Sequence, residues 1–341
     1  TDKGTKLHTD VTTTDLVGKE YTTEQKTFFG YTLKEIPTNK NGTYTKEDII
    51  VNYVYTKNTG DIENPDTEKT GPDTINSVDG VFEYNITASG NVKEYVGNIK
   101  VNVKDILPYA IDEEKSTLDN RCTYDGNKTI TCAQEYTNIT EEDYTNGVYT
   151  VDETFNLKLV FIGIDSNKVV NKATSTIELD GTKKTTEDEK ETEVYKGIVV
   201  ATYKDEKGNE LHENVTTTGL SGTEYTTEQK TFFGYTFKEV TGDSKEGKYL
   251  ANQTIYVDYV YTKNIGTSEE ELNKNGLEVV GSINDAFDYT ITYNTTIKDY
   301  VGKATLVITD ILPYEIDEEK STISNNCKYE DGVITCTYTK D

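Results

Sequence analysis

A run of thirteen residues, EYTTEQKTFFGYT, occurs at positions 20–32 and again, letter for letter, at 224–236, an offset of 224 − 20 = 204. The correspondence continues through YVYTKN at 53–58 and 259–264 (offset 206), and through ILPY from Ile106 and Ile311 and DEEKST from Asp112 and Asp317 (offset 205). A period this long, with offsets drifting by only one or two residues through loop changes, predicts a repeated multi-domain array rather than one enclosed core.

Composition supports a folded, surface-rich chain. Net charge is -26 over 341 residues and hydrophobic content is only 33%, yet 26 Tyr and 9 Phe supply apolar bulk that an acidic disordered chain lacks. Nucleic acid is excluded as a partner, because phosphate binding needs clustered cations and Arg121 is the single arginine. No apolar run approaches the roughly 20 residues of a membrane span, so no membrane contact is expected within these residues. With no Met, the chain reads as processed or as a piece of a longer one. Two His and four Cys leave few parts for metal or nucleophilic catalysis, so neither a cofactor nor an enzyme is expected.

Within one period two kinds of segment alternate, and both read as β. From 195 to 264 run GIVVATYK, a DEKGNE turn, a Thr-rich stretch, the FFGY block and TIYVDYVYT. From 272 onward FDYTITY, KATLVITD and CKYEDGVITC alternate apolar and polar residues with period two, as half-buried antiparallel strands do. Four segments follow: 1–58, 62–181, 195–264 and 268–341. The first has no counterpart of GIVVATYK and the last none of the closing strands. More copies in a longer parent explain this, or alternatively strands donated by a neighbouring molecule. The acidic stretch 181–193 is expected to be an exposed linker, extended by self-repulsion.

The residues GIVVATYKDEKGNELHENVTTTGLSGTEYTTEQKTFFGYTFKEV, ending in VDYVYTKN, resemble a mucin-binding-protein (MucBP) repeat of Gram-positive cell-surface proteins. That resemblance implies a ubiquitin-like β-grasp module with a short helix. The intervening segments resemble, more loosely, immunoglobulin-like stalk domains of bacterial pilins and adhesins, through Lys69 or Lys274 in KTG or KNG, Asp105 or Asp310 in D-I-L-P, and Asn171 in NKAT. The fold expected is thus mainly β, β-grasp modules alternating with immunoglobulin-like sandwiches in an elongated array.

The stalk resemblance implies an amide bond between Lys69 and Asn171, promoted by Asp105. Strand parity bears on it. Ile99, Val101 and Val103 lead inward to Asp105, Ala304, Leu306 and Ile308 lead to Asp310, Asn171 shares a face with Ala173 and Ile177, and Lys274 shares parity with Leu272. Buried unpaired, such groups cost several kcal/mol, so they must be paired, neutral or reacted. The plainer alternative has Asp105 starting the turn at Leu107-Pro108, Asn171 making an edge hydrogen bond and Lys69 solvated.

Hairpin counting pairs the cysteines. In CKYEDGVITC an Asp331-Gly332 turn sets Cys327 opposite Cys336; in the other copy a three-residue 126–128 loop sets Cys122 opposite Cys132. Directly opposed positions can meet disulfide geometry, which an extracellular compartment would preserve; reduced core thiols are the alternative. His8 and His212 each stand alone and read as surface residues. Tyr31 and Tyr235 are candidate glycan contacts, although adjacent aromatics on a strand must point both ways. The functional expectation is the repeat region of a wall-anchored surface adhesin that binds mucin or another host glycoprotein, anchored through regions outside these residues. The alternative is a structural stalk with no ligand of its own.

Overall fold

Alternating hydrophobicity becomes strand nearly everywhere. In the computed structural model, which describes residues 1–341, the single helical element is a 3-10 turn at Glu141–Asp143.

Segment 62–181 builds the largest core. One sheet runs Asp61–Thr70, Phe82–Lys93, Tyr149–Leu159, Thr117–Leu118 in spatial order; the other runs Cys122–Tyr124, Thr129–Ile139, Gly97–Ile106, Lys168–Glu178, Lys183–Val194, Thr74–Ile75. The inward residues Phe82, Tyr84, Ile86 and Ala88 of the first sheet meet Ile99, Val101 and Val103 of the second, all fully buried. This is a β-sandwich, each large inward side chain contributing about 1.5 to 3 kcal/mol of burial.

The second sheet corrects one expectation. The acidic stretch is not a linker: Lys183–Val194 is a strand, antiparallel to Lys168–Glu178 from Glu178↔Lys183 to Lys168↔Glu193. Strand alternation explains how so charged a sequence pairs. Thr186, Asp188, Lys190, Thr192 and Val194 lie on the covered face, and Thr192 and Val194 are fully buried. The outward acids find cations across the pair, Lys172–Glu187 at 2.7 Å and Lys168–Glu191 at 2.8 Å. Cross-strand neutralisation thereby replaces the self-repulsion that would have kept the segment apart.

Segment 195–264 places Lys196–Asp205 centrally, between Glu210–Leu220 and Thr254–Lys263, with Tyr235–Gly242 at the far edge. Val199, Ala201, Tyr203, Val257, Tyr259 and Tyr261 fill the inner face. The short helix implied by a β-grasp does not form, and residues 227–234 are irregular. Tyrosine hydroxyls take up the carbonyls a helical turn would have used: Tyr203 donates to Glu228 O at 2.9 Å and Tyr261 to Lys230 O at 2.6 Å. A stretch this short and Thr-rich gains little from helix nucleation once its backbone is satisfied otherwise. The Asp205 turn closes on itself, its carboxylate accepting from the N–H groups of Lys207 and Asn209.

Segment 1–58 lacks the central strand, and the consequence is visible. Val54–Lys57 pairs only with Tyr31–Glu35, while Val11, Leu16 and Ile50 are each at least 70% exposed. In segment 268–341 a two-stranded sheet (Thr267–Gly276 with Tyr289–Lys298) and a three-stranded one (Ala304–Ile311, Val333–Lys340, Cys327–Glu330) stand without counterparts of the Tyr149–Leu159, Lys168–Glu178 and Lys183–Val194 strands. The expected inward parity therefore buries little there: Leu272 is 59% exposed, Lys274 is exposed and Asp310 half-buried.

Cys122 is joined to Cys132 and Cys327 to Cys336, each pair at directly opposed positions of its hairpin. A closed loop this short removes little unfolded-state entropy, so reduction is expected to cost each hairpin only about 2 to 3 kcal/mol. Thiol titration after denaturation without reductant should find no free thiol, and thermal unfolding with and without reductant reads the cost.

Candidate functional site

The sandwich brings three polar side chains to one place in its interior. Lys69 is the penultimate residue of the strand Asp61–Thr70, Asp105 the penultimate residue of Gly97–Ile106, and Asn171 lies on Lys168–Glu178, which Lys183–Val194 follows. Each is where alternation puts it. Thr67 and Lys69 face inward, as do Val103 and Asp105, and Val169, Asn171 and Ala173. Lys69 and Asp105 side chains have no solvent exposure, and Asn171 is fully buried.

One carboxylate holds the other two groups. Lys69 Nζ donates to Asp105 Oδ1 at 2.5 Å, and Asn171 Nδ2 donates to Asp105 Oδ2 at 3.2 Å. The Lys69 amine also lies 4.8 Å from the centre of the Tyr84 ring, and its backbone N–H donates to Asp188 at 2.7 Å. Asn171 Oδ1 is buried with no hydrogen-bond partner. Turning that amide over would set Oδ1 against Asp105 Oδ2, where a protonated carboxyl donates.

Burial drives the titration of both charged groups. Desolvation pulls the Lys69 amine below its ordinary value despite the opposing charge of Asp105. Desolvation likewise pushes Asp105 above the usual carboxylate range, against the pull of Lys69 and the Asn171 hydrogen bond. Both shifts favour a neutral amine beside a neutral acid. A neutral amine is a nucleophile, and a carboxylic acid can polarise an amide carbonyl and carry protons.

In the second copy only two of the three groups are present together. Lys274 Nζ meets Asp310 Oδ1 at 2.5 Å and lies 4.5 Å from the Tyr289 ring, the counterpart of Tyr84 (289 − 84 = 205). No asparagine faces them from a strand equivalent to Lys168–Glu178.

The other candidates are placed as follows. Tyr31 and Tyr235 are half-buried at the first positions of their strands, opposite Lys57 and Lys263. His8 and His212 are exposed, and each ring nitrogen contacts the next residue's carbonyl. Sequence reasoning missed Tyr84 and Asp188, though both were legible by parity: Tyr84 alternates with Phe82 and Ile86, and Asp188 with Thr192 and Val194. It also missed Arg121, which donates to Asp119 and Glu153 and stacks 4.4 Å from the Phe155 ring. No pattern short of the fold marks those partners.

Internalin J of Listeria monocytogenes serotype 4b (strain F2365) is 29% identical over 327 residues, covering 88% of this chain and 34% of the relative. Internalin J of L. monocytogenes serovar 1/2a (strain EGD-e) is 26% identical over 344 residues, covering 100% and 32%. The chain thus spans about a third of the length of these relatives. Among solved structures, BcpA, the major pilin subunit of Bacillus cereus, superimposes with a TM-score of 0.32 at 16% identity, covering 73% of this chain and 86% of that one. No helix of the chain is long and apolar enough to cross a membrane. Residues 1–56 and 198–262 each match the model of the MucBP domain family.

Proposed function

We propose that the chain is the repeat region of an extracellular adhesin on a Gram-positive cell surface, in which sandwich segments act as a covalently stapled stalk and the MucBP modules meet host glycoprotein. The observation that carries the stalk reading is the buried Lys69, Asp105 and Asn171 set. Its chemistry is single-turnover. Neutral Lys69 Nζ attacks Asn171 Cγ, the Cγ–Nδ2 bond breaks, ammonia leaves, and Asp105 moves a proton from the attacking to the leaving nitrogen. The product joins the first strand to a late strand across the sandwich, where tension along the chain enters. No turnover of an external substrate is proposed. Because Lys274 and Asp310 have no asparagine across from them, Lys274 should remain a free amine in the 341-residue chain, which acetylation of the denatured protein followed by peptide mapping reads directly.

The two disulfides support an oxidising, extracellular location. Attachment to the cell wall falls to regions outside these residues. Mucin is the ligand class proposed for the modules, on the strength of the MucBP match, with weak contacts multiplied by repetition. The test is a mucin-glycan array probed with multivalent segment 195–264. Binding lost on Tyr235→Ala supports a ligand role for this face, whereas no binding at any valency leaves the modules as spacers.

A further inference from the structure

The same set of contacts joins module to sandwich in both copies. In the first, Gly30 has φ +75° and lies so close to Val96 that a Cβ would sit 2.9 Å from Cγ1. In the second, Gly234 (φ +78°) abuts Val301 in the same way. Gly60 (φ +74°) and Gly266 (φ +72°) lie against the Cβ of Tyr95 and of Tyr300, each at 2.7 Å from a built Cβ. Gly97 (φ +130°) and Gly302 (φ +134°) make room for Lys57 Nζ and Lys263 Nζ.

Those lysines reach from the module onto the sandwich. Lys57 Nζ lies 4.8 Å from the centre of the Tyr95 ring and bonds Asp180 at 2.5 Å; Lys263 Nζ lies 5.6 Å from the Tyr300 ring. On the module side the clasp is also repeated. Asn58 N–H donates to Gly30 O and Thr32 Oγ1 to Asn58 Oδ1, at 2.8 and 2.7 Å; Asn264, Gly234 and Thr236 do the same at the same distances. In the first copy Phe29 adds an edge contact to Tyr144 at 4.7 Å, and Tyr144 in turn donates to Tyr95 O.

Three glycines at positive φ, each pressed against a residue of the other segment or its linker, are costly to place by chance in one copy, and they recur in the other. We infer that the Phe-Gly pair of the FFGY block (Phe29-Gly30 and Phe233-Gly234) is a docking surface for the sandwich that follows it, so that module and following sandwich form one rigid body, the true repeating unit of the array. The partner this surface fits is the Tyr-Val-Gly corner at residues 95–97 and 300–302. A sugar platform on Phe29 and Gly30 is thereby excluded. Phe233, whose surroundings lack a counterpart of Tyr144, is 72% exposed. It marks the same surface without its last contact. This inference stands independently of the cross-link.

The test is a distance distribution by pulsed electron resonance, with spin labels on non-natural residues at exposed Lys46 and Glu113 of the full chain. One narrow distance is expected. Val96→Asp should broaden it several-fold while leaving sandwich unfolding unshifted, and Phe29→Ala, made on the module side, should broaden it less. A broad distribution in the unaltered chain overturns the inference. So does a narrow one that neither substitution changes.

Discussion

Lys69→Met is expected to lower the unfolding midpoint of the 62–194 sandwich by roughly 15 °C. Methionine keeps the volume and removes the buried amine and with it the proposed cross-link, which would close a loop of about 100 residues worth about 4 to 5 kcal/mol on the chain-entropy model. Asp105→Ala should cost more, because it also leaves Lys69 buried with no counter-ion. That variant carries a pH signature. With the folded Lys69 pKa depressed by burial, the unfolded chain binds the extra proton, so stability rises with pH and falls as pH drops below the ordinary lysine value of about 10.4. Calorimetry at several pH values on both variants checks this. Lys69→Met, having no such group, should lack the extra slope.

The second large effect concerns the strand that composition disguises. A fragment ending at 181 should fail to hold the sandwich, whereas one ending at 196 should fold. The difference is the Lys183–Val194 strand, its ladder to Lys168–Glu178, the buried Val194 and Thr192, and the Asp188 acceptor for the Lys69 N–H. Burying one valine contributes about 1.5 to 3 kcal/mol and each hydrogen bond about 1, so the loss is on the order of 5 kcal/mol or more. Circular dichroism melts of the two fragments read it. Equal midpoints would show that the acidic stretch behaves as a tether after all.

These two cases also mark what was legible in the residues. Asp105 and Asn171 could be placed because inward parity is a local property of strands with a regular apolar alternation, such as Ile99, Val101 and Val103 of GNIKVNVKD. The 183–194 strand could not, because its pairing energy comes from cations on a neighbouring strand that no local window contains. The absent helix has the same origin: the hydroxyls that satisfy residues 228 and 230 come from Tyr203 and Tyr261, distant in sequence. The second copy adds a third lesson. The expected inward face of Lys274 is exposed there, because a face is buried only when an opposing sheet covers it.

The staple between Lys69 and Asn171 is the claim on which the stalk reading rests, and tryptic peptide mapping tests it most directly. An amide on Lys69 blocks cleavage there, so peptide 58–93 should be recovered joined to 169–172 as one branched species, lighter by one ammonia than the two separately. Asp105→Ala should abolish that species. Recovery from the unaltered chain of 169–172 alone, with cleavage after Lys69, would contradict the account and leave an ordinary sandwich held by a buried ion pair.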